Sequence, residues 1–333
     1  MELRRERVVA ELLDPRNGFE RARVPLEVRW DPLTGQSSRL LPEGSVPPPA
    51  AHDLASLDEQ TRETCPFCSP RLESATPRFP PELWPEGRIR HGEAVLFPNL
   101  VAYAKWSSVS VYSPRRHVIR LEELTPALLA DNLAAQATFA RAVAAHDPAS
   151  RWTSVNANHL PPSGSSVLHP HLQGTAGAAP TTVQRLLAEV APAAVREYVA
   201  SERANGERFV AAGNGVDWLA SFAPLGPGEV RAYVWDAASP AELEAGSVEQ
   251  LARGISAVLA VYAALGFESF NLALYGAGPG HALSLRVVAR AYFGPLLRAD
   301  AMWSERLHWE AATDLAPERV AELARAAFSA PGG

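Results

Sequence analysis

The stretch "SVLHPHLQGT", residues 166–175, sets His169 and His171 two apart around Pro170, with Gln173 at the same spacing beyond. Side chains of a strand alternate faces, so a strand here predicts all three polar groups on one side. A neutral imidazole is a nucleophile or a metal ligand, whereas a primary amide donates hydrogen bonds without acid–base capacity. Pro170 lacks an N–H and stiffens the backbone between the two rings. A second constellation, "ETCPFCSP", holds both cysteines of the chain, Cys65 and Cys68. C-x-x-C is a redox pair or half of a zinc site. The redox pair wants a helix start behind a strand, but this motif lies in a proline-rich stretch, residues 44–86. Half a zinc site is the better reading, and it needs two more ligands. Of the 31 basic residues only Lys105 is a lysine, so a cation holding phosphate is expected to be an arginine with its bidentate fork.

Several elements must position these groups. Residues 24–41 read as strand, "DPLTG" turn and strand, and residues 93–113 as two strands rich in β-branched and aromatic residues. Thr125–Pro126 is a helix start, followed by apolar residues at helical spacing to residue 146. "WTSVNAN" and "SVLHPHLQGT" read as strands around the loop "HLPPSGS". A helical run over 181–204 is expected to break or kink at Pro192. A second cycle follows, with strands near 217–222, 229–235, 269–275 and 283–293, a helix near 247–265, and a closing helix "APERVAELARAAF". "GAGPGH" lacks the Lys-Ser/Thr of a phosphate loop and reads as a plain loop. The pattern predicts an α+β fold of two similar halves, residues 1–180 and 181–333, each an antiparallel sheet with packed helices.

At 333 residues, 47% hydrophobic and 20% charged, the composition is that of a globular protein with a large core. No apolar run reaches the roughly 20 residues that span a bilayer, and the first residues carry no apolar signal core. A cytoplasmic protein is expected, with no membrane partner. The net charge of −6 argues against nucleic acid as a partner.

"HPHLQ" resembles the H-P-H-[GS]-Q motif of the galactose-1-phosphate uridylyltransferases, a branch of the histidine-triad superfamily. "RWDPLTG", "CPFC", "LFPN", "YSPRRH", "NHLPPSGSSVLHPHLQ" and "YFGPLLR" are similar to further motifs of that family, in the same order, over roughly residues 25–320. The resemblance implies two histidine-triad-like halves, the second degenerate because it has no H-x-H-x-Q. It also supplies the missing ligands, His117 and His169, which with Cys65 and Cys68 make a closed Cys2His2 set for one structural zinc. His171 is then the implied nucleophile toward the α-phosphorus of a nucleotide sugar, with Gln173 steadying the phosphoryl oxygens. Ser165 and Ser166 match the family's phosphate loop, with Gly164 allowing close backbone approach, and Ser166 is counted with the catalytic residues. Arg29 would offset phosphate charge, Asn158 would bond phosphate or ribose, and Asn99 matches a nucleoside-facing residue.

The sugar end departs from the family. Ala289 and Ala291 stand where many members have histidines, so a second metal site is not expected. Glu305, Arg306 and Ala312 replace the tyrosine, glutamate and glutamine expected around the hexose, and "GPGE" replaces W-P-[FY]-E at residues 226–229. Leu100 follows Asn99 where aspartate is common. The expected activity is transfer of a UMP-like nucleoside monophosphate from a nucleotide sugar to a sugar 1-phosphate through nucleotidyl-His171. A phosphorylase using inorganic phosphate on a nucleotide sugar or dinucleoside polyphosphate, and a non-catalytic nucleotide-binding protein, are the alternatives. The resemblance also implies a possible homodimer.

Overall fold

The computed structural model describes residues 2–294 and 301–330. The chain opens on a long hairpin, β1 (Arg5–Asp14) and β2 (Glu20–Trp30), extended by β3 (Ser37–Leu40) after the "DPLTG" turn. Two helices, α1 (Leu54–Arg62) and α2 (Leu72–Ala75), flank the cysteines. Then come β4 (Ile89–His91), β5 (Ala94–Pro98), β6 (Trp106–Val111), α3 (Pro126–His146), β7 (Trp152–His159) and β8 (His171–Gly177). After α4 (Thr182–Ala188) and α5 (Pro192–Asn205) the pattern repeats. The repeat consists of β9 (Phe209–Gly213), β10 (Val216–Ala220), β11 (Val230–Val234), α6 (Ala245–Ala264), β12 (Ser269–Tyr275) and β13 (Leu283–Arg290). α7 (Trp303–His308), β14 (Ala311–Thr313) and α8 (Pro317–Phe328) follow.

Ten strands form one antiparallel sheet in the order β4-β5-β6-β8-β7-β12-β13-β11-β10-β9. The strand order of one half is that of the other reversed, and the halves join between β7 and β12. This is the α+β architecture of repeated antiparallel halves that the element pattern predicts. A second, four-stranded sheet runs β1-β2-β3-β14, its β14–β3 pair parallel.

One face of the large sheet is packed by α3 and α6, which also touch each other. Thr125 caps α3, its hydroxyl accepting from Leu128 N–H, and Pro126 takes the first turn, where its missing N–H costs nothing. Leu128, Leu129 and Leu133 of α3 meet Val155, Ala157 and Leu172 of the sheet. Gly254 of α6 lies so close to the Trp218 indole that a Cβ would sit 2.1 Å from it. On the opposite face α4 and α5 cover the C-terminal half: Leu187, Val195 and Tyr198 pack on Leu219, Tyr233 and Tyr275, with Leu33 of the "DPLTG" turn. Asp31 of that turn accepts from Leu33 N, Thr34 N and Thr34 Oγ1 and pairs with Arg231 in a buried cluster that includes Glu229 and Arg286. Burial opposes its charge, but the arginines and the Thr34 N–H outweigh that and hold its pKa at about 2.

Two sequence expectations change. The strand expected from residue 166 begins only at His171, because the segment before it folds as a turn and bends around Gly164 and Pro170. The hairpin partner β1 has no counterpart in the pattern reading: it is exposed along most of its length, so nothing imposes apolar alternation on it. No helix among the described residues is long and apolar enough to cross a membrane.

Candidate active site

Four donors converge beneath the start of β8. Cys65, Cys68, His117 and His169 bring their ligand atoms within 4.8 Å of one another. Cys68 Sγ lies 3.3 Å from His117 Nδ1 and 3.4 Å from His169 Nδ1, and Cys65 Sγ lies 3.7 Å from His169 Nδ1. Tetrahedral zinc with ordinary Zn–S and Zn–N lengths needs an S···N edge of about 3.6 Å. The outer nitrogens are also in order. His169 Nε2 donates to the Ser113 carbonyl at 3.0 Å, and His117 Nε2 donates to Thr61 Oγ1 at 2.8 Å, which leaves both Nδ1 lone pairs facing the sulfurs. Burial, with lesser repulsion from His117 and His171, holds His169 neutral with a pKa of about 3. Burial and the neighbouring Cys65 push the Cys68 thiol up to about 12, so that thiol keeps its proton until a cation displaces it. The donor set, its spacing and its outer hydrogen bonds therefore fit zinc. His169 precedes the strand and belongs to the donor cluster, with the Phe67 ring edge-on to it at 6.0 Å.

His171 opens β8 on the face opposite α3 and α6. Its Nδ1–H donates to the His169 carbonyl at 2.8 Å, which fixes the tautomer and turns Nε2 outward. Gln173 Nε2 stands 3.3 Å from that Nε2. Burial lowers the His171 pKa, opposed by the His169 carbonyl bond, so the ring is biased to its neutral, nucleophilic form. The Phe67 ring meets it edge-on at 5.4 Å and also leans on Phe97. Phe67 thus joins the cysteine loop to the His171 ring. Beneath the strand, Gly174 lets Gln136 of α3 approach: a Cβ would sit 2.2 Å from Gln136 Oε1 and 2.5 Å from Ser108 Oγ. Gln136 also donates to Ser110 Oγ at 2.7 Å.

The open face continues as a polar row. Gln173 pairs across with Asn156, Asn156 with Ala273, and Ala273 with Arg286. Asn158, two residues beyond Asn156, is set beside His171 on the same face and meets Asn271 of β12. Of the residues expected from sequence, His171, Gln173 and Asn158 are brought together. Asn99 shares the face but lies at the level of Ser107, its Oδ1 capping Val101 N–H at 3.0 Å. Ser165 Oγ donates to the Val167 carbonyl at 2.7 Å and so closes its own turn, and Ser166 is exposed. Gly164 has φ +91°, a conformation that favours glycine, with open space at its Cβ position. Arg29 is 5% exposed and committed elsewhere: it pairs with Glu27 and Glu318 and stacks on Phe222. Ala289 and Ala291 are buried methyls without ligand atoms, and Pro295–Arg298 of "YFGPLLR" lies outside the described residues. Glu305 pairs with Arg290 at 3.3 Å, while Arg306 is exposed. Sequence reasoning missed Phe67, Asn156, Asn271 and Arg290, which acquire meaning only once the strands are paired.

No family model matches the chain. A protein of Archaeoglobus fulgidus, described as uncharacterized, is 29% identical over 348 residues, covering 99% of both chains. A GalT-like protein from Arabidopsis thaliana superposes with a TM-score of 0.66 at 18% identity, over 90% of this chain and 98% of that one. An ADP-glucose phosphorylase from the same plant, solved with bound ADP-glucose, gives 0.65 at 18% identity with the same coverage. A uridylyltransferase gives 0.58 at 19% identity, again over 90% and 98%. The chain has the fold of these proteins.

Proposed function

We propose that the chain is a divergent member of the galactose-1-phosphate uridylyltransferase family and an enzyme that transfers a nucleoside monophosphate through His171. The observation that carries this reading is the His171 tautomer: Nδ1–H is held by the His169 carbonyl, and Nε2 faces the Gln173 amide on the open face of the sheet. Nε2 attacks the α-phosphorus of a nucleotide sugar; an N–P bond forms, the bond to the bridging oxygen breaks, and a sugar 1-phosphate leaves. The proton stays on Nδ1, donated to the His169 carbonyl throughout, so the ring becomes a cationic leaving group without any proton transfer. A phosphate oxygen of the acceptor then attacks phosphorus, the N–P bond breaks, and neutral His171 returns. Gln173 steadies the phosphoryl oxygens, and because an amide is neither acid nor base at neutral pH it does not activate water. Cys65, Cys68, His117 and His169 would hold one zinc ion, whose contribution is to tie the cysteine loop to the residue before His171.

The acceptor is either a sugar 1-phosphate or inorganic phosphate. Glu305 and Arg306 at the sugar end, with Glu305 turned onto Arg290, favour a small anionic acceptor over galactose 1-phosphate. The shared fold with an ADP-glucose phosphorylase supports the same choice. Incubation with ADP-glucose or UDP-glucose and no acceptor is expected to add one acid-labile nucleoside monophosphate to the chain, visible by mass spectrometry and absent from His171→Gly. Turnover with no trapped adduct sinks the mechanism. Comparison of kcat/KM for galactose 1-phosphate, glucose 1-phosphate and phosphate is expected to favour phosphate; a clear preference for galactose 1-phosphate with a uridine donor restores the plain family activity.

A further inference from the structure

Asn271 of β12 stands opposite Asn158 of β7, at the joint between the two halves of the sheet. Its Nδ2 is surrounded by oxygens: Asn158 Oδ1 at 2.7 Å, the Ser163 carbonyl at 3.0 Å and the Ala157 carbonyl at 3.3 Å. Its Oδ1 accepts from Arg290 Nη1 at 3.3 Å. A guanidinium has donors only, so the carbonyl end of Asn271 must face Arg290 and the amide end must face the three oxygens. That fixes the next amide in turn. Asn158 has to offer Oδ1 to Asn271, and its own NH2 is directed away from Asn271, on the face that carries His171 and Gln173. The direction matters because a phosphoryl group presents only acceptor oxygens. An Asn158 turned the other way would set a carbonyl dipole against that charge.

We propose that Asn271, backed by Arg290, is a positioning residue that holds Asn158 as a hydrogen-bond donor to the phosphoryl group passing through His171. The proposal rests on the transfer reading above. Two half-sheets far apart in sequence thereby contribute to one phosphoryl site: β8 supplies the nucleophile, β7 the donor, and β12 and β13 set the donor's direction.

The test is the single-turnover rate of His171 nucleotidylation, measured by mass spectrometry with ADP-glucose and with UDP-glucose, beside the donor Kd and the melting temperature. Asn271→Asp keeps the shape but replaces the donor with acceptors, so Asn158 must rotate to give its NH2 to the new carboxylate. The rate is expected to fall roughly 10- to 100-fold, the scale of one hydrogen bond to a charged group, with little change in donor Kd. In an Asn158→Ala background the same substitution is expected to change the rate less than about 2-fold, since the two residues act as one unit. A merely structural role slows both backgrounds alike. Should Asn271→Asp not fold, Asn271→Ala reads the same coupling, with a loss of roughly 3- to 10-fold that disappears in the Asn158→Ala background. Unchanged rates in the folded Asn271 variant, or equal losses in both backgrounds, overturn the positioning role. Absence of adduct in the unsubstituted chain overturns the transfer reading itself.

Discussion

At position 171 a single carbonyl oxygen decides which ring nitrogen carries the proton, and that oxygen belongs to His169, a zinc-ligand candidate. The H-P-H spacing therefore links support and chemistry within three residues. Loss of the cluster should be felt at both ends. Protein purified without added metal is expected to carry one zinc per chain, and Cys65→Ser is expected to lose the metal and melt at lower temperature. No zinc, together with an unaltered melting temperature in the variant, would rule the site out. Gly174 gives a sharper test of how the reactive strand is seated. A methyl there would collide with Gln136 Oε1 and Ser108 Oγ, so Gly174→Ala is expected to cost about 1–3 kcal/mol in denaturant unfolding and to slow nucleotidylation as β8 shifts. Full stability and full rate in that variant would mean that α3 yields without consequence.

The elements themselves were largely legible. Thr125–Pro126 announces α3 by its cap, and the break at Pro192 separates α4 from α5, because capping and proline geometry are local. Strands β5, β6, β7, β12 and β13 show in their β-branched and apolar runs. The exposed β1 and the three-residue β4 and β14 did not, since neither burial nor length marks them. His171 and Gln173 were readable from spacing, but Asn271 and Arg290 were not: their partners lie on other strands. Arg29 also has a partner that local sequence does not announce. Its partner Glu318 is 289 residues away, and nothing near "RWDPLTG" foretells that pair. The neighbouring Asp31 yields a prediction at this scale. Its folded pKa of about 2 lies below the ordinary 3.8, so its stabilising contribution is present above pH 3.8 and is lost as pH falls toward 2. That contribution is about 2 kcal/mol by linkage. Unfolding free energy measured from pH 5 to pH 2 is expected to drop more steeply for the natural chain than for Asp31→Asn, which should start lower because Arg231 is left short of a partner. Parallel curves would refute the assignment.

Across the whole molecule, the first and last parts of the chain are built into one another. β14 pairs with β3, and Glu318 at the start of α8 receives both Arg29 of β2 and Arg208, which flank the Phe222 ring from 4.9 Å and 5.1 Å. Glu318→Ala leaves two buried guanidinium groups short of a carboxylate, and a loss of about 1–3 kcal/mol is expected, moderated by the partial exposure of Glu318. Chemical denaturation measures it, and a change within ±0.5 kcal/mol, the usual scatter of a surface substitution, would show the pairs to be incidental. The β3–β14 pairing also bears on how the protein is made. A ribosome delivers residues 5–40 long before residues 311–318, so the small sheet has no fourth strand, and Arg29 no Glu318, until the later stretch has emerged. The strands of the ten-stranded sheet, β4 to β13, are made between these two stretches. A nascent chain stalled before residue 311 would therefore present the open edge of β3 to proteases and chaperones, and emergence of residues 311–318 is the event that closes it.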